Sequence, residues 1–133
     1  MTLSLTSKLI SIVDDDPDIV NLFRDALQSL PGVSIFAFTD PLLALEHYKM
    51  NKSVYALVIS DLKMPGMDGI ELLSKIKRMN CSTQAILMTA FDVNDKLFQE
   101  YTEKGIIDGF LQKPIKLGTL IHEVTGQLHS CDT

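Results

Sequence analysis

Five short apolar runs recur along the chain, each followed by a longer stretch of helical periodicity. The runs at 8–13, 33–38, 55–60, 84–89 and 108–112 are rich in Val, Ile and Leu and read as buried strands. The stretches at 17–30, 40–51, 67–79, 93–104 and 117–129 read as helices. Strand and helix in strict alternation predict right-handed βαβ units on a parallel sheet, an α/β fold. Punctuation supports the boundaries. Pro31-Gly32 breaks the first helix, and Asp40-Pro41 opens the second with an N-cap and a proline at its first position. Pro65-Gly66 signals a turn before the third, and Gly105 caps the fourth. The fifth helix carries one apolar stripe: Leu117, Leu120, Ile121, Val124 and Leu128. The first is apolar over a wider arc. Val20, Phe23, Leu27 and Leu30 form one stripe, with Ile19, Leu22 and Ala26 beside it. That side stripe reads either as core against a neighbouring helix or as a docking surface.

Composition narrows the class. The chain has 133 residues, enough for a single domain over 1–133. Its 46% hydrophobic and 22% charged residues are ordinary for a soluble globular protein. A net charge of -5 argues against nonspecific binding to nucleic acid or an anionic membrane. Cys81 and Cys131 lie far apart and in no metal-ligand spacing, so reduced thiols in a cytoplasmic protein are expected. No run approaches a membrane span, and residues 1–7 lack the apolar core of a signal peptide.

Charge placement changes the picture more. The first run stops on Asp14-Asp15-Asp16, with Asp18 close behind, and the third stops on Asp61. Helix capping accounts for Asp16 and Asp18. It leaves Asp14 and Asp15 unexplained at a strand end, where packed carboxylates repel. Ligands of open parallel sheets bind at the carboxyl ends of the strands. If the strand order is 2-1-3-4-5, the first and third strands are neighbours, and Asp14, Asp15 and Asp61 then meet in one crevice. Oxygen ligation of Mg²⁺ would resolve their repulsion, and an aspartate beside such an ion can act as a nucleophile toward phosphorus. Two further strand ends carry Thr89-Ala90 and Lys113-Pro114. Alone, each is ordinary. Together they would supply a hydroxyl and a fixed cation to equatorial phosphoryl oxygens.

These segments carry a resemblance. Val-Asp-Asp-Asp-Pro at 13–17, Asp-Leu-Lys-Met-Pro-Gly-Met-Asp-Gly at 61–69, Met-Thr-Ala at 88–90 and Lys-Pro at 113–114 stand in order, each at a strand end. In them the chain resembles the receiver domain of two-component response regulators, over essentially its whole length. The resemblance implies a flavodoxin-like (βα)5 fold with strand order 2-1-3-4-5. It implies Asp61 as phosphoacceptor, Asp14 and Asp15 as the acidic pair for Mg²⁺ (or Mn²⁺), and the Lys63 carbonyl as a further ligand. Thr89 matches the switch hydroxyl, the Ala90 amide a phosphoryl contact, and Lys113 the lysine that pairs with a phosphoryl oxygen. Lys113-Pro114 is a candidate cis peptide. Phe110 matches an aromatic that changes rotamer on activation. The face built from the fourth helix, fifth strand and fifth helix would then carry the signal.

The implied partner is a sensor histidine kinase or histidine phosphotransfer protein, with an unidentified output domain or target. Direct contact of this domain with nucleic acid or membrane is not expected, nor is conventional enzyme activity beyond its own phosphorylation and dephosphorylation. Phe110 departs from the commoner tyrosine, which removes a hydroxyl. Ile115 replaces a frequent phenylalanine. Lys63 and Phe91 occupy two variable positions that, by resemblance, tune phosphoryl lifetime. Two other readings compete. Asp14-Asp15-Asp16 contains the Asp-x-Asp of haloacid-dehalogenase-type phosphatases, but Asp18 stands where that family carries Thr or Val. A flavin carrier would need a Ser/Thr/Gly-rich loop where this chain has carboxylates. All the polar positions of an active receiver are filled, which speaks against a degenerate one.

Overall fold

Every predicted run forms a strand in the computed structural model, which describes residues 7–91 and 96–131, with side chains to residue 129. They are β1 (Lys8–Val13), β2 (Val33–Phe38), β3 (Tyr55–Asp61), β4 (Gln84–Thr89) and β5 (Gly109–Gln112). Between and after them lie α1 (Pro17–Leu27), α2 (Pro41–Asn51), α3 (Gly69–Met79), α4 (Lys96–Glu103) and α5 (Leu117–Cys131). All strand pairs are parallel, in the order β2-β1-β3-β4-β5. The expected doubly wound fold is therefore present.

The central strand β3 is buried at every residue, as a strand covered on both faces must be. Alternate residues feed two cores. Ile10, Ile12, Leu57, Ile59, Ile86 and Met88 pack under α1 and α5. Val13, Val58, Ala85 and Leu87 pack under α2, α3 and α4. The topology brings the carboxyl ends of β1 and β3 together at the switch point, and β4 and β5 follow on the same rim.

Several boundaries differ from the sequence reading, each for a local reason. Helix α1 ends at Leu27 rather than 30; the chain turns there through a Leu30 N–H to Leu27 carbonyl bond. Helix α3 starts at Gly69 rather than 67, because the Asp68 carboxylate accepts the Glu71 N–H at 2.8 Å and takes the N-cap. A single 3₁₀ turn, Lys52–Val54, was not foreseen. The predicted start of the fourth helix, 93–95, lies outside the described residues. It ends at Glu103, one residue short of 104, and Gly105 caps it as expected: Ile106 N–H bonds the Tyr101 carbonyl, Gly105 N–H bonds that of Thr102, and Gly105 has φ 76°. That is a Schellman cap, which needs the left-handed conformation glycine adopts without strain.

On α1 the main stripe is core, with Val20, Phe23 and Leu27 buried. The side stripe divides. Ile19 is half-buried against the core, whereas Leu22 is 49% exposed. On α5, Leu120 and Val124 are buried, but Leu117 at the start of the stripe is exposed. Cys81 is an exposed free thiol, and the Cys131 side chain lies outside the described residues. Among the described residues no helix is long and apolar enough to cross a membrane.

Candidate functional site

The loop after β1 turns at once into α1, and its carboxylates separate by role. Asp16 is the N-cap, accepting the Asp18 N–H at 2.9 Å. That use removes the second acid of the Asp-x-Asp phosphatase reading. Asp14 points inward. It is 1% exposed, and its Oδ1 accepts the Asp16 N–H at 3.0 Å. Asp15 stays exposed at the rim. Asp61 ends β3 and is buried, and one oxygen from each of Asp14, Asp15 and Asp61 lies within 4.8 Å of the others. The three acids thus converge as the sequence reading required.

Lys113 ties this cluster together. Its Nζ donates to Asp14 Oδ2 at 3.1 Å and to Asp61 Oδ1 at 3.0 Å. Its backbone N–H bonds the Thr89 carbonyl at 2.8 Å, and the Lys113–Pro114 peptide is cis. Burial pushes the Asp14 carboxyl up; the Asp16 amide and Lys113 oppose this and the Asp61 charge adds to it, leaving it above the usual range. For Lys113, desolvation pulls downward, but the bonds and charges of Asp61 and Asp14 outweigh it and the net shift is upward. The lysine is held protonated between two carboxylates.

An open cavity of about 360 Å³ adjoins this pair, lined by Asp61, Leu62, Lys63, Thr89, Ala90, Phe91 and Lys113. Buried Thr89 ends β4, and its Oγ1 accepts the Phe91 N–H at 3.0 Å. That leaves the hydroxyl proton free to be donated. The Lys63 ammonium lies 4.9 Å over the Phe91 ring, a cation–π contact across the mouth. Phe110 is on β5, half-buried, and meets Phe98 of α4 edge-on at 5.4 Å. Phe110, which by resemblance changes rotamer on activation, therefore touches α4.

One positional requirement was missed as such. A Cβ on Gly69 would come within 2.2 Å of the Asp61 carbonyl oxygen, and the Gly69 N–H bonds the Leu62 carbonyl at 2.8 Å. Only glycine lets α3 start this close to the end of β3. Gly69 is visible in the 61–69 motif, but nothing in a sequence marks it as the contact that seats Asp61.

The donor set fits a hard divalent cation. Three carboxylate oxygens close together, with no sulfur or imidazole among them, are the chemistry of Mg²⁺ or Mn²⁺. The chain also matches the family model of the response regulator receiver domain over residues 10–125. It belongs to that family, a class of two-component signalling domains that bind Mg²⁺ in an acidic pocket. It is 34% identical over 106 residues to sporulation initiation phosphotransferase F of Bacillus subtilis, covering 80% of this chain and 82% of that protein. It is 32% identical over 109 residues to the cyclic di-GMP phosphodiesterase response regulator RpfG of Xanthomonas campestris, covering 80% of this chain but 28% of that protein. The signal receiver domain of an HD domain-containing protein from Pseudomonas fluorescens Pf-5 superposes with a TM-score of 0.81 at 28% identity, over 95% of this chain and 98% of that one. The chain thus spans most of the length of one of these curated relatives and less than a third of the other.

Proposed function

We propose that this receiver domain accepts a phosphoryl group from a phosphohistidine onto Asp61. An Asp61 oxygen attacks phosphorus, the P–N bond breaks, and the imidazole leaves with the electron pair. The observation that carries this reading is the Lys113 ammonium bridging Asp14 and Asp61 beside an open cavity. It provides a fixed cation next to the nucleophile, where phosphoryl charge must be neutralised. Asp14, Asp15, Asp61 and the Lys63 carbonyl would hold Mg²⁺ (or Mn²⁺), which supplies charge neutralisation and orientation of phosphoryl oxygens. Thr89 Oγ1 and the Ala90 amide would contact the remaining oxygens.

Thr89 turning toward the phosphoryl group would free space that the Phe110 ring fills, and Phe98 would pass the change to the α4-β5-α5 face. The donor is a sensor histidine kinase or histidine phosphotransfer protein, and the receiver of the signal an output domain or separate target. The reading places residues 1–133 in one cytoplasmic domain that promotes its own phosphorylation and dephosphorylation without being a conventional enzyme.

Acetyl phosphate with Mg²⁺ tests the reading by intact mass. One added phosphoryl group is expected, and none in Asp61→Asn. Full labelling of Asp61→Asn would move the acceptor elsewhere.

A further inference from the structure

Helix α2 is apolar on both sides. Its inner face buries Pro41, Ala44, Leu45 and Tyr48. Its outer face leaves Leu42 54%, Leu43 60% and Met50 78% exposed. A helix that is hydrophobic all round is normally buried all round. Among the described residues the other large exposed apolar side chains are Leu22, Phe91, Leu97 and Leu117, of which Phe91 and Leu97 line a cleft at α4; none of these shares a helix face with another as the three of α2 do.

The charges on this face narrow what can cover it. Between the apolar side chains stand one acid and one base, Glu46 and Lys49, 3.9 Å apart and both well exposed. The chain as a whole carries a net charge of -5, so two copies repel unless they meet where charge is locally balanced. The outer face of α2 is such a place, whereas the Asp14–Asp18 rim is not. The face is also its own complement. When two α2 helices lie antiparallel with Leu43 of one over Met50 of the other, Glu46 of each comes within reach of Lys49 of the other. Leu43 and Met50 are seven residues apart, two turns on one side of the helix.

We propose that the outer face of α2, formed by Leu42, Leu43 and Met50 around Glu46 and Lys49, is a homodimer contact in which two copies pair antiparallel about a two-fold axis. An isologous contact of this kind uses the same patch twice and closes at the dimer. One helix face per copy is small against a standard interface, so the association is weak and concentration-dependent.

Sedimentation velocity of the full chain, from micromolar to millimolar concentration, tests it. The wild type should pass from monomer to dimer across that range. Leu43→Glu should weaken the dimer about tenfold or more by placing a charge against the apolar anchor. Glu46→Lys and Lys49→Glu should each weaken it through like-charge contact, and the double variant should restore it. Far-UV circular dichroism checks folding, which these exposed positions do not threaten. A wild type that stays monomeric at millimolar concentration overturns the proposal. So does a dimer indifferent to Leu43→Glu, or a double swap that fails to rescue the single ones.

Discussion

Replacing Lys113 with Met removes the ammonium and keeps most of the aliphatic stem. The loss falls on two short bonds, 3.1 Å to Asp14 and 3.0 Å to Asp61. Charge-assisted hydrogen bonds contribute about 1.5–3 kcal/mol each, roughly 3–6 for the pair. The Lys113 side chain is 30% exposed, so water already screens part of this. The substitution also relieves the desolvation of the lysine. A net loss of about 2 kcal/mol is expected, a Tm drop of roughly 6–10 °C for a domain of this size. The sign of the pH dependence follows from Asp14. Its carboxyl is shifted up mainly by burial, so its protonated form favours the native state, and stability falls as pH rises from about 4 through the native value. Without Lys113 that shift grows, so the gap from wild type is wider at pH 8 than at pH 5. Mg²⁺ adds a second lever, because an ion that binds only the native state stabilises it by mass action. Thermal unfolding at both pH values, in EDTA and in saturating Mg²⁺, measures all of this. The gap should be largest at pH 8 in EDTA and shrink by half or more with Mg²⁺. Equal stability of the two proteins in EDTA, or a gap that ignores Mg²⁺, would refute the view that Lys113 neutralises this cluster.

The exposed Asp15 costs little to remove, so Asp15→Ala should fold normally yet bind Mg²⁺ much more weakly, as followed by amide shifts in a titration. Equal affinity would sink its role as a ligand. Leu22, the exposed member of the α1 side stripe, is the better test of a docking surface than Ile19: Leu22→Asp should block transfer from the cognate histidine protein and leave acetyl phosphate labelling intact. Loss of both activities would mean the position is structural. Phe110→Ala should leave phosphorylation of Asp61 in place but confine the resulting amide shifts to the pocket, because the ring contact with Phe98 is gone. Undiminished shifts in 96–103 would rule out this route.

The strands and the helix caps were legible because each rests on a local rule; the strand order, and with it the convergence of the acids, came with the resemblance. An apolar run makes a buried strand, Asp before Pro makes a cap, and strand ends carry the ligands. What escaped depends on distance in space. The split of the α1 side stripe could not be read from periodicity, since Ile19 and Leu22 are equally apolar and only the neighbouring core distinguishes them. The close approach of Gly69 to the Asp61 carbonyl is likewise a tertiary fact. The two ends of α1 and α3 were misjudged by a few residues because caps compete: any of several polar residues can end a helix, and the observed bond decides. The lysine at 113 was expected to meet a phosphoryl oxygen. That it first joins Asp14 to Asp61, across 99 positions of sequence, came only from the fold.

That bridge also sets the charge balance from which the proposed chemistry starts. Three carboxylates and one ammonium leave a formal charge of minus two in the pocket, the amount a divalent cation cancels. A monovalent ion would leave the cluster anionic and repel an incoming phosphoryl group. Transfer to Asp61 then replaces a single negative charge by the larger charge of a phosphoryl group, about −1.5 to −2 near neutral pH. The new charge needs a donor that was not engaged before. The Thr89 hydroxyl is placed for that: its oxygen accepts the Phe91 amide, which leaves its proton to be donated. Turning the hydroxyl toward the phosphoryl group must stretch or break the 3.0 Å bond to Phe91, which also carries the Lys63 contact. Phosphorylation would thereby loosen the Lys63–Phe91 pair at the mouth, from a single change of charge at Asp61.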